Sequence, residues 1–77
     1  MIMQKITFDI SGDNIRLDHL LKLSDIASSG GQAGQMIKDG LVKINDVIVT
    51  EKRKKIFLQD KIVFDDNYLI LLKALDQ

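Results

Sequence analysis

The sequence predicts an α+β fold in which two short helices pack on a small, mostly antiparallel sheet. Two stretches carry apolar residues at helical spacing: Leu17, Leu20 and Leu21, then Ala33, Met36 and Ile37. Elsewhere the apolar residues alternate, as at Ile6, Phe8 and Ile10, which is the period of a half-buried strand. Clusters of Ser, Gly, Asp and Asn separate these segments and join neighbours through tight turns.

Met3 to Ile10 reads as the first strand, with Lys5, Thr7 and Asp9 on its other face. Ser11 to Asn14 then turn the chain, and Asp13 or Asn14 is placed to cap a helix over Ile15 to Leu23. Its solvent face carries Arg16, Asp18 and Lys22. His19 is the only histidine, without a partner at a catalytic spacing, and reads as a surface residue. Ser24 to Ser29 is a link that pins Ile26 into the core.

The second helix starts at Ser29. With Ser29 as N-cap, Gln32 falls at the third helical position, and Ser29-Gly30-Gly31-Gln32 has the form of a capping box. Gly40 stands where a left-handed residue closes a helix. Gly34 costs this helix about 1 kcal/mol relative to Ala. Either a backbone approaches it closely or it packs against the first helix.

Leu41 to Val49 forms a hairpin about Asn45-Asp46, with Val42 and Ile44 on one face and Lys43 on the other. Val47 to Val49 make the return strand. Ile56 to Leu58 and Lys61 to Phe64 are two further extended pieces, joined by a Gln59-Asp60 turn. Tyr68 to Ala74 has the length and leucine content of a short helix but also alternates. The acidic turn Asp65-Asp66-Asn67 ahead of it favours a strand.

Seventy-seven residues form one domain of modest stability, and 45% apolar with 29% charged residues is ordinary globular composition. The absence of cysteine excludes disulfides and thiolate metal sites. The longest apolar run, Tyr68 to Leu72, is too short to cross a bilayer. The opening residues lack the pattern of a signal peptide, so a cytoplasmic protein without membrane contact is expected.

Net charge is zero, but it is unevenly spread. Ser28 to Lys55 holds six cations against three acids, and the rest holds five against eight. That stretch begins with a glycine-rich helix start, whose free N–H groups and dipole favour anions. It ends in four consecutive cations, Lys52, Arg53, Lys54 and Lys55. A polyanion uses both ends at once, and RNA is the expected partner. Ser28, Ser29 and the Gly30-Gly31 backbone would hold a phosphate, with Gln32 and Gln35 a turn away. Lys38, Lys43 and the run from Lys52 to Lys55 would supply further phosphate contacts and long-range attraction. Phe8, Phe57, Phe64 and Tyr68 are all expected in the core. With no aromatic left for stacking, weak sequence specificity follows.

In order along the chain stand Arg16-Leu17-Asp18, Leu20-Leu21 and the Ser28-Ser29 helix start. Ala33, Ile37, Gly40, Val42-Lys43-Ile44-Asn45 and the segment from Lys52 to Ile62 follow. This series resembles the S4 RNA-binding domain, more narrowly its small stand-alone bacterial type, over about residues 15–64. Strands at both ends complete a single domain over 1–77. The resemblance implies an αL-type module that presents the second helix and the basic segment on one surface. It also implies binding of structured RNA, ribosomal or transfer, in translation or on the ribosome. Gly30-Gly31 stand where many S4 domains place an arginine, Asp46 replaces a favoured glycine, and Gln59-Asp60 replaces a Gly-Asp turn.

No catalytic domain fits beside such a module in 77 residues. The acids are scattered, no phosphate-loop lysine follows Gly34, and His19 is alone, so no enzyme, cofactor or metal site is expected. A monomeric RNA binder is the leading expectation. A protein-interaction module using the same surface is its rival, and duplex DNA binding is weaker because the second helix has few side chains suited to base edges.

Overall fold

The computed structural model describes residues 4–75. The first strand, β1, is Gln4–Ile10 (Met3 lies outside the described residues), and the chain then makes a short second strand, β2, over Asn14–Arg16. Helix α1 is Leu17–Leu23 and helix α2 is Gly30–Lys38. Five strands follow: β3 (Val42–Ile44), β4 (Val47–Ile48), β5 (Lys55–Phe57), β6 (Lys61–Phe64) and β7 (Tyr68–Ala74).

Five of the strands form one sheet in the order β1-β7-β6-β3-β4. Its pairings are antiparallel except β1 with β7, which is parallel and in register from Gln4 opposite Tyr68 to Ile10 opposite Ala74. The ambiguous segment after the acidic turn is therefore a strand, and it lies between β1 and β6 in the sheet.

One row of isoleucines, Ile6, Ile70, Ile62 and Ile44, runs straight across four strands. The last three are buried and join Leu17, Leu20 and Leu21 of α1 and Ala33 and Ile37 of α2 in one apolar core. Both apolar stripes thus face the sheet, and burial of each large aliphatic side chain stabilises the fold by roughly 1.5–3 kcal/mol.

Two turns owe their shape to side chains that tolerate left-handed backbone. Asn45 and Asp46 (φ 51° and 72°) join β3 to β4, and Asp65 and Asp66 (φ 51° and 55°) turn the chain after β6. Both pairs have the positive φ angles of type I′ turns, whose twist matches that of the strands. Helix α2 ends at Gly40, with φ 79°. There the Gly40 N–H donates to the Ile37 carbonyl and the Leu41 N–H to the Met36 carbonyl, a Schellman closure.

Three expectations fail. Helix α1 does not begin at Ile15, and neither Asp13 nor Asn14 caps it. Residues 14–16 instead pair antiparallel with β5, Asn14 opposite Phe57, Ile15 opposite Ile56 and Arg16 opposite Lys55. Arg16 is the N-cap and makes no side-chain cap bond. The Leu17 and Asp18 N–H groups donate to the carbonyls of Lys54 and Lys52, at 2.9 and 3.0 Å. A helix that recruits its cap from a distant loop needs no local capping residue. The return strand also stops at Ile48, one residue short of Val49.

Asp18 is buried and not on the solvent face. Its carboxylate accepts two hydrogen bonds from Arg16, Nε at 3.1 Å and Nη2 at 2.7 Å, and a third from the His19 N–H. The Arg16 hydrogen bond holds the Asp18 carboxyl below the usual carboxylate range, against the upward push of burial. The stability this contributes is fully present above the unfolded carboxyl pKa and is lost as pH falls through the depressed folded value. Asp18→Asn is therefore expected to lower the urea midpoint at neutral pH. The gap to the unmodified protein closes in strong acid, and a gap independent of pH contradicts this account.

Candidate nucleic-acid interface

The start of α2 is built as its sequence implies, with one change of partner. Ser29 Oγ accepts from the Gln32 N–H at 3.1 Å. The Gln32 side chain reaches past Ser29, and its Oε1 accepts from the N–H (2.6 Å) and the hydroxyl (2.8 Å) of Ser28. Both serines and Gln32 are thus spent on fixing the helix start. Gly30 and Gly31 are exposed, and their N–H groups find no acceptor among the described residues.

The basic run spans the end of the loop between β4 and β5 and the first residue of β5, and all four residues are exposed. Its backbone is not loose, because the Lys52 and Lys54 carbonyls are the cap of α1. The stem of Lys52 crosses α2 at Gly34, where an added Cβ would lie 3.3 Å from Lys52 Cδ. The open question about Gly34 is answered by a third neighbour: a lysine stem from the basic loop, and not α1, occupies the space.

Lys55 opens β5 directly opposite Arg16 of β2. Inward-facing Ile15 and Ile56 place Arg16 and Lys55 together on the outer face of this two-stranded ribbon. Like charges directly opposite repel, and Asp18 offsets part of that repulsion through Arg16. Arg16, Asp18, His19 and Lys22 also line a recess of about 260 Å3 whose far side is Gly30 at the start of α2.

Other expected members stand apart. Lys38 ends α2, about 12 Å along the axis from Gly30. Gln35 Nε2 donates to Asp39 at 2.9 Å. Lys43 lies on the sheet face opposite the helices, since its neighbours Val42 and Ile44 are both buried. It contacts Asp66 at 3.4 Å. The structure thus brings the basic loop against α2 at Gly34, beside Gln35, while Lys38 and Lys43 stand apart from it.

Sequence reasoning missed Arg16, His19 and Lys22 as members of this surface. The three-residue spacing of His19 and Lys22 on α1 is a signal that aligns those two on one exposed edge. Arg16 joins them from the end of β2 and has no such signal. Phe57 was also misplaced: expected in the core, it is 37% exposed. The alternation of β5 turns Ile56 inward and Phe57 out.

Known proteins place this arrangement. The model of the S4 domain family matches residues 8–72, and the chain belongs to that family. Its two helices on a mixed sheet recur in solved structures. A pseudouridylate synthase matches with a TM-score of 0.61 and 31% identity, over 66% of this chain and 22% of its own. The 30S ribosomal protein S4e from Thermoplasma acidophilum matches with a TM-score of 0.54 and 25% identity, over 73% of this chain and 30% of its own. The chain thus spans under a third of either protein. A search of the curated proteins finds no match.

Lys52 is long, flexible and exposed, so its stem yields to a methyl group on α2. Gly34→Ala is accordingly expected to raise stability by about 1 kcal/mol through helix propensity, read as a higher urea midpoint. A fall would mean that the stem is held rigidly against α2.

Proposed function

We propose that this protein binds structured RNA without catalysing a reaction on it, through the start of α2, the basic loop and the Arg16-Lys55 pair. One observation carries the reading. The backbone holds Arg16 and Lys55 side by side on an exposed ribbon, beside three more exposed cations whose loop is tied to α1. Asp18 offsets part of this cluster's self-repulsion through Arg16, and an anion laid across the remaining cations would relieve the rest. Phosphates are met here by cations and by the Gly30 and Gly31 N–H groups, an inventory suited to the shape and backbone of a folded RNA.

Membership of the S4 domain family supports RNA as the polyanion. The ribosomal neighbour supports ribosomal RNA as its class, with transfer RNA as the alternative. The reading carries with it a cytoplasmic bacterial protein that acts as a monomer near the ribosome and uses no cofactor. A protein-binding role for the same surface is the rival that the following experiment also tests.

Retardation of an RNA hairpin should weaken steadily as salt is raised. Replacing Lys52, Arg53, Lys54 and Lys55 by alanine is expected to weaken binding, and the slope of log affinity against log salt to fall by about 1 for each phosphate contact removed. The Lys43→Ala variant, on the far face of the sheet, is expected to leave affinity and slope nearly unchanged. Binding that ignores salt or the loop substitutions would assign the surface to another kind of partner.

A further inference from the structure

The exposed face of the β2–β5 ribbon holds more than charge. Asn14 stands directly opposite Phe57, as Arg16 does opposite Lys55, and all four residues are exposed on one face. An aromatic ring, an amide and two cations thus share one patch on a rigid two-stranded support. Phe57 lies outside the apolar core, whose ribbon contribution is Ile56 and Ile15. The ring is 37% exposed and so open to a partner from the solvent side.

We infer that this ribbon face is a binding site for an unpaired nucleotide, with its base stacked on Phe57. The inference rests on the RNA-binding reading and sharpens it. Every base has a π-face, so a single exposed ring captures an extruded base whatever its identity. Lys55, two residue pairs along the ribbon and beside the Asp18-paired Arg16, is placed for a flanking phosphate. Asn14 donates through Nδ2 to Asp13 at 2.7 Å, which leaves its amide oxygen to accept from a base or ribose. Asn14 and Arg16 also line a recess of about 400 Å3 with Ser11, His19 and Leu23. It opens beside Asn14 and Arg16, on the β2 side of the ribbon. A continuous duplex keeps its bases stacked inside and has nothing to offer Phe57. Bulges and unpaired junctions do.

The experiment compares two RNA hairpins by fluorescence anisotropy, one fully paired and one carrying a single unpaired nucleotide in its stem. The unmodified protein is expected to prefer the bulged hairpin by about tenfold, the scale of one base–aromatic stack. Phe57→Ala and Phe57→Leu should bring the ratio close to one, while Phe57→Trp keeps it. Because Leu preserves apolar bulk without a π-face, its failure separates stacking from simple burial. Equal affinity of the unmodified protein for the two hairpins, or a preference that survives in Phe57→Leu, overturns the inference. Failure to bind either hairpin overturns the RNA-binding reading itself, and parity with retained binding does not.

Discussion

The fold of this protein hangs on two backbone hydrogen bonds that join parts of the chain more than thirty residues apart. The carbonyls of Lys52 and Lys54 accept from the first two N–H groups of α1. With the ribbon pairing of β2 and β5 they fix the start of the helix, the course of the basic loop and the position of Arg16 together. A helix of seven residues has little stability of its own. Here the loop supplies its cap, and the helix in turn holds in place a loop whose four cations would otherwise repel each other apart.

This mutual dependence explains why some of the structure is legible in the sequence and some is not. Helix α2 carries its own start and stop signals in Ser29 and Gly40, and both hold. The hairpins are local too, since Asn45-Asp46 and Asp65-Asp66 set their own turns. Strand β2 has no such signal. Three residues cannot show a period, and Ile15 fits the inward face of a helix or a strand equally well. Only its partner forty residues on decides the matter.

The candidate site divides in the same way. The glycine-rich helix start and the cation run are visible as composition, and the structure places them near one another across Gly34 and Lys52. Lys43 and Lys38 belong to the same charge block in sequence, but the pleat of β3 and the length of α2 carry them elsewhere. Phe57 was misread because aromatic residues in short strands usually face inward. The register with Asn14 reverses that. Asp18 was misread for a related reason: its partner Arg16 precedes it in a different element, so no helical spacing links the two.

The parallel pairing of β1 with β7 has a consequence for how the domain is tethered. Parallel neighbours begin at the same edge of a sheet and finish together at the other. Gln4 and Ala74 therefore sit at opposite ends of the pair, about 20 Å apart along the strands. Many domains leave their two ends side by side and hang from a parent protein like a pendant. This one threads like a bead. A polypeptide joined to each end would be held at that separation. In that geometry the S4 unit would set the distance between any segments joined to its two ends.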